Sequence, residues 1–211
     1  MDNTTTIYLI RHGDLEYPRN EKGQRLLYGP DVRLSDTGRA QIQRLAERLD
    51  REGRQLEQIY CSPFLRAVET SEIIAFELGL PKPIHDPRFQ DISPGSMVGK
   101  LLDDVIAGRI QDYGETDEDV MQRMVQGVEE VVHNNQGRTI GIVSHGDAIR
   151  VLLFRLLHPE VSLPSIIELS KDDYLEKGEA WRLVVSPALR IVERKYIGRP
   201  QKLWGRGRRK S

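Results

Sequence analysis

Ile7-Tyr8-Leu9-Ile10-Arg11-His12-Gly13-Asp14 joins an apolar run of strand length to an abrupt polar stop. Far downstream the pattern returns, where Ile140-Gly141-Ile142-Val143 runs into Ser144-His145-Gly146-Asp147. Parallel strands of an α/β sheet bring their carboxyl ends to one edge, and ligands bind at that edge. If the two runs are neighbouring strands, two histidines face one pocket with an arginine beside them. This pairing sets the expected fold: a three-layer α/β/α sandwich with a mostly parallel central sheet.

The segments around the two runs fit that frame. Residues 15–33 are polar and irregular, broken by Pro18, Gly23, Gly29 and Pro30. Ser35 or Asp36 can cap a helix in which Ile42, Leu45, Ala46 and Leu49 recur at helical spacing, ending near Gly53. Residues 58–61 read as a strand, and Pro63 is expected in the first turn of the following helix, which Gly79 ends. A brief extended piece at 81–86, a loop at 89–99 and a short helix at 101–106 follow. Thr116 is expected to cap a helix over 117–134, and residues 139–143 form the second apolar strand. The next helix stops at Pro159. Residues 165–169, 181–185 and 189–192 read as strands without intervening helices, with reversals at Lys177-Gly178 and Ser186-Pro187. Residues 1–200 are expected to form one domain. The basic, glycine-rich tail at 201–211 is expected to be disordered, and six residues of basic tail make only a minor case for RNA.

Composition narrows the class. The chain has 211 residues, 38% hydrophobic and 30% charged, with net charge −1. Near-neutrality argues against broad electrostatic attachment to nucleic acid or a membrane, so anion binding must come from a local arginine cluster. One cysteine, Cys61, allows no internal disulfide and no cysteine-based metal site. The start carries no basic-then-apolar leader, and no apolar run approaches the ~20 residues of a membrane span, so a cytoplasmic location is expected. Strands of the last third offer edges that can pair between chains, which is compatible with a homo-oligomer.

The residues at the two strand ends suit a phosphoryl group. His12 can bring a ring nitrogen to a bound group while Gly13 lets backbone amides approach. Arg11 and Arg66 can give bidentate contacts to phosphate oxygens, Arg66 from the first turn of a helix and Gly146 from the start of another. A small phosphorylated substrate is the partner this implies. His85, His133 and His158 read as structural or surface residues, and Arg44, Arg48 and Arg51 as a solvated face. A competing metal site made of His12, Asp14, His145 and Asp147 is disfavoured, because Arg11 and Arg66 repel a divalent cation. No cofactor is expected.

Leu9-Ile10-Arg11-His12-Gly13 resembles the defining motif of the histidine phosphatase superfamily, the phosphoglycerate-mutase-like proteins. Further matches follow in order: residues 34–41, residues 60–70 around Arg66, Gly114-Glu115-Thr116 with Arg123, and Val143-Ser144-His145-Gly146. The resemblance implies a phosphoglycerate mutase-like fold and a metal-free mechanism. His12 would attack phosphorus, while Arg11, Arg66 and His145 clamp the oxygens. It also implies a carboxylic acid for the leaving group in the loop at 89–99. Asp91 stands there in place of the family's glutamate and Met97 in place of its tryptophan; Asp147 and Asp14 are the fallback acids. Asp14-Leu15-Glu16-Tyr17-Pro18 lacks the threonine and asparagine of the mutases, and residues 100–113 are brief. Both departures favour a phosphatase of small phosphorylated metabolites over a mutase, and leave room for a weakly active phosphate-binding relative. Substrate contacts are expected from Tyr17, Arg19, Arg25 and Tyr28.

Overall fold

Ile7, Tyr8, Leu9 and Ile10 are all fully buried because strand β1 (Thr5–Arg11) runs through the middle of the sheet with both faces covered. A strand covered on both faces reads as a continuous apolar run, which is why the pattern does not alternate. The computed structural model describes residues 3–53, 56–109, 112–166, 168–169 and 173–198; the tail at 201–211 lies outside them. β1 lies between β4 (Thr139–Ser144), to which it is parallel, and β5 (Ala180–Val185), to which it is antiparallel. With β2 (Gln58–Cys61), β3 (Ile84–His85) and β6 (Ile191–Ile197), the described residues form a six-stranded sheet of order β3-β2-β4-β1-β5-β6. Its β3-β2-β4-β1 part is parallel, and an antiparallel hairpin completes it.

Alternation along the strands divides the core. Ile7, Leu9, Ile140 and Ile142 pack against Met124 and Val128 of α4 (Asp117–Asn134), which follows the short α3 (Leu102–Ile106) in the chain, and against Ile149 and Leu152 of α5 (Gly146–Leu157). Tyr8, Ile10, Ile59 and Val143 point the other way, onto Leu45 and Leu49 of α1 (Asp36–Arg51) and Ile74 of α2 (Leu65–Glu77). The result is the three-layer sandwich. Burying one such leucine or isoleucine contributes about 1.5–3 kcal/mol, so the sheet edge that carries the histidines is held from both faces. Capping fixes where the helices begin: the Ser35 hydroxyl accepts from the Gly38 amide at 3.1 Å, and Thr116 and Asp119 satisfy each other's backbone amides. Among the described residues no helix is long and apolar enough to cross a membrane.

Four expectations need correction. Residues 165–169 do not form a strand: Ile166 and Glu168 lie in turns, and Ile167 is outside the described residues. The free edge of β1 is taken by β5, and the Ile166 amide instead donates to Asp117 at the start of α4. Leu189 belongs to the turn before β6, with φ of 56°, so the last strand begins later and runs further than its apolar pattern suggests. Pro63 precedes α2 rather than entering it; the Ser62 hydroxyl accepts from the Phe64 amide and makes a turn ahead of the helix. The Lys177-Gly178 reversal is present, but it leads the chain in beside β1 rather than joining two strands. Its Gly178 amide donates to the carbonyls of Arg11 and His12.

Candidate active site

Register places the two histidines side by side. Arg11 pairs with Ser144 across the parallel β1–β4 ladder, so the next residue of each strand, His12 and His145, emerges at the same edge. Their ring centroids are 5.2 Å apart at an interplanar angle of 60°. Both rings are buried, His12 at 2% and His145 at 0% exposure.

The hydrogen bonds decide the tautomers. His12 Nδ1 lies 2.8 Å from the Gly13 carbonyl, which can only accept. Nδ1 therefore carries the proton, and the lone pair of neutral His12 sits on Nε2. Burial first, then His145, Arg66 and Arg11, holds His12 well below the ordinary histidine range, against a smaller upward pull from the Gly13 carbonyl. On His145, Nδ1 accepts from Arg66 Nε at 3.2 Å, so Nε2–H donates to the Ser62 hydroxyl at 2.9 Å. Burial and the charges of Arg66, Arg11 and Arg123 keep this ring neutral too.

Arg66 is the hub. Its side chain is 2% exposed, and besides His145 it donates to the Gly29 carbonyl at 3.0 Å and to Asp91 Oδ2 at 3.1 Å. Asp91 Oδ2 also lies 3.5 Å from His145 Nδ1. Arg66 stacks between Phe64 and Tyr28, with its guanidinium carbon 4.9 and 5.1 Å from their ring centroids. Such contacts fix the plane of a guanidinium whose donors match phosphate oxygens. Arg11 flanks the other side. Its NH1 donates to the Leu175 carbonyl at 2.6 Å and its guanidinium lies over Tyr174. A Cβ on Gly146 would stand 2.7 Å from the guanidinium carbon of Arg11 and 2.8 Å from the Tyr174 hydroxyl. A side chain at this position, where α5 begins, would therefore push Arg11 aside, because the arginine lies against the backbone of Gly146. Beyond Arg11 a cavity of about 490 Å³ is lined by Asp14, Gln41, Glu176, Lys177 and Glu179.

The three carboxylates singled out in the sequence are placed differently. Asp91 is on Arg66 and beside His145. Burial pushes the Asp14 carboxyl up, but the Lys177 ammonium 2.6 Å away more than offsets this, and it sits below the ordinary range. Burial, with Asp91 nearby, raises Asp147 to about 6, against the opposing charges of Arg11 and Arg150. Of the expected substrate contacts, Tyr28 covers Arg66, Tyr17 packs edge-on against Tyr28 at 5.5 Å, and Arg25 lies over Tyr17. Arg19 is not brought to the site; it is exposed and donates to the Gly23 carbonyl in its own loop. Ser62, Thr70, Phe64 and Tyr174 were not foreseen. Ser62 follows β2 at the same edge at which Ser144 ends β4, which sequence could have indicated. Thr70 accepts from the Gly13 amide at 3.2 Å, a contact that no local pattern announces. Among the described residues, no group of three or more histidine, cysteine or acidic side chains is arranged to hold a metal ion.

Comparison with known proteins agrees with this geometry. A family model of the histidine phosphatase superfamily (branch 1) matches residues 7–173. Phosphoglycerate mutase-like protein 4 of Arabidopsis thaliana is 28% identical over 195 residues, covering 85% of this chain and 83% of its own. Phosphoserine phosphatase 1 of Hydrogenobacter thermophilus is 29% identical over 170 residues, covering 74% and 78%. Among solved structures, Bacillus stearothermophilus YhfR superposes with a TM-score of 0.71 at 28% identity, over 89% of this chain and 94% of that one. Two histidines at the ends of adjacent parallel strands, clasped by arginines within a phosphoglycerate mutase-like fold, and a family match over most of the chain lead to one assignment: the protein belongs to the histidine phosphatase superfamily, branch 1.

Proposed function

We propose that the protein is a metal-independent phosphatase that hydrolyses a small phosphorylated metabolite through a phosphohistidine on His12. One observation carries the reading: buried His12 donates from Nδ1 to the Gly13 carbonyl, which leaves a neutral Nε2 lone pair within a ring of fixed positive charge. A nucleophile must be unprotonated where it attacks, and the arginines that lower its proton affinity are the groups that attract the phosphate.

The reaction needs two displacements. His12 Nε2 forms a bond to phosphorus while the bond to the leaving oxygen breaks, and Asp91 gives that oxygen its proton. Water then attacks the phosphohistidine, the P–N bond breaks, and Asp91 recovers a proton from the water. Arg66 and Arg11 offset the charge on the phosphoryl oxygens in both steps. His145 orients Arg66 through Nδ1 and shares its Nε2–H between Ser62 and a phosphoryl oxygen. A phosphate dianion that takes up Arg66 displaces the Asp91 side chain from it, which frees Asp91 for the leaving oxygen. Positive charge comes from the protein itself, so no metal is required. Tyr17, Tyr28 and Arg25 form the wall that a substrate's remainder would meet.

A mutase is the second reading, supported by the Arabidopsis relative named phosphoglycerate mutase-like. Against it, Leu15 is 3% exposed and packed in the α1–α2 core, so this position offers no polar group to a substrate. The test is p-nitrophenyl phosphate hydrolysis in EDTA. Wild-type turnover that His12→Ala abolishes is expected; absence of turnover from pH 5 to 8 would favour a phosphate-binding relative without activity. Phosphoryl exchange between phosphoglycerates faster than phosphate release would favour the mutase.

A further inference from the structure

We propose that Arg123 and Glu115, behind the segment that carries Asp91, are positioning residues that set the reach of Asp91; this rests on the reading of Asp91 as the general acid. Asp91 lies in an irregular segment, and an acid one methylene shorter than glutamate tolerates little backbone error. The guanidinium of Arg123 uses all of its donors on that segment and on Glu115. NH1 donates to the carbonyls of Arg88 and Gln90 at 2.9 and 2.7 Å, and NH2 to that of Asp91 at 2.9 Å. Nε and NH2 also donate to the two oxygens of Glu115, at 3.0 and 2.7 Å. The same Glu115 carboxylate accepts from the Ser93 amide at 2.8 Å.

The remaining carbonyl of the segment is held from the catalytic edge. The Ser144 hydroxyl, one residue before His145, donates to the Phe89 carbonyl at 2.8 Å. Helix α4 adds a steric seat: a Cβ on Gly127 would stand 2.8 Å from the Phe89 ring. Arg123 and Gly127 are four residues apart on one face of α4, so a single helix face fixes both the ring and the carbonyls. The carbonyls of residues 88–91 and the amide of residue 93 are thus all assigned, and the Asp91 side chain is left directed at Arg66 and His145.

Only a planar fork can serve these acceptors together, so Arg123→Lys keeps the charge and loses the geometry. Glu115→Gln keeps size and one acceptor, and Gly127→Ala moves Phe89 with Arg123 intact. Turnover of p-nitrophenyl phosphate, whose leaving group needs no proton, is compared with turnover of glycerol 2-phosphate, whose leaving alkoxide does. General acid catalysis supplies about 10²–10⁴-fold, and misplacement by an ångström removes a large part of it. In each variant kcat/KM for glycerol 2-phosphate, which reports formation of the phosphoenzyme and not its hydrolysis, is expected to fall at least tenfold while kcat/KM for p-nitrophenyl phosphate falls less than about threefold. Circular dichroism checks that the fold is retained. The alkaline limb of the glycerol phosphate profile should move in the variants, and adding Arg123→Lys to Asp91→Asn should cost nothing further. Equal loss on both substrates in a folded variant, or no loss on either, overturns the positioning role. If Asp91→Asn itself leaves glycerol phosphate turnover intact, Asp91 is not the acid, and the proposal falls with that reading.

Discussion

Replacing Gly146 by alanine should damage activity far more than folding. The added Cβ would lie 2.7 Å from the guanidinium carbon of Arg11 and 2.9 Å from its Nε, where ordinary contact begins at 3.4 Å. Arg11 must then withdraw by about 0.7 Å, the difference between those two distances. Its anchor at the Leu175 carbonyl, at 2.6 Å, limits the directions open to it. A hydrogen bond to a phosphate oxygen at ~2.9 Å does not survive such a displacement. Losing one charge-assisted bond costs about 1.5–3 kcal/mol, which at 1.36 kcal/mol per decade is ~10- to 150-fold in kcat/KM. The fold should lose little, because a flexible side chain yields rather than backbone, and alanine gains up to ~1 kcal/mol over glycine in a helix. The assay is kcat/KM for p-nitrophenyl phosphate with the inhibition constant for inorganic phosphate, alongside a melting curve. If kcat/KM and phosphate inhibition both stay within twofold of wild type, Arg11 does not bind the phosphoryl group from this position.

Asp91→Asn should split binding from turnover. Removing a carboxylate from Arg66 should tighten phosphate inhibition, while turnover of alkyl phosphates falls by about 10²–10⁴-fold; weaker phosphate binding would contradict the competition for Arg66. Asp147 sits at about 6 against an ordinary 3.8, so the folded chain keeps a proton that the unfolded chain loses, and stability falls as pH rises from about 4 to 6. Asp147→Asn should therefore stabilise the protein above pH 6 by about 1–2 kcal/mol once solvent screening is allowed for, with no gain near pH 3.5. Urea unfolding at the two pH values checks this. His12 has the opposite sign. Held neutral in the fold, it leaves the unfolded chain alone to take up a proton below ~6.5, so stability declines as pH falls through that value. His12→Gln should flatten the slope between pH 6 and 5 by up to ~1.4 kcal/mol per pH unit; an unchanged slope would mean that the folded ring titrates normally.

The sheet edge that carries the two histidines was legible because strand ends are local. Apolar runs ending at Arg11-His12 and Ser144-His145 placed the histidines together, and parallel pairing through Arg11 and Ser144 is what makes them neighbours. Residues 60–70 carried Arg66 in the same way, since α2 follows β2 directly. The contacts that arrive from far along the chain were not legible. Tyr174 and Leu175 reach Arg11 across more than 160 residues, and Thr70 meets Gly13 across 57. Such contacts are set by how layers stack rather than by any pattern in a short window. The strand expected at residues 165–169 failed for a related reason. Ile166 and Leu169 serve packing, but the edge the strand needed is occupied by β5, and alternation over five residues cannot tell a strand from a buried turn. Arg19 and Arg25 looked equivalent in sequence, yet only Arg25 reaches the tyrosine wall, because Arg19 bonds within its own turn.

In the proposed mechanism His12 carries the phosphoryl group. Rapid mixing with labelled substrate, a quench in alkaline denaturant and peptide mapping by mass spectrometry test it directly. The expected result is a base-stable, acid-labile phosphoryl group on the peptide containing His12, formed and lost at the rate of turnover and absent in His12→Ala. Label on another residue, or full turnover by His12→Ala, would contradict it.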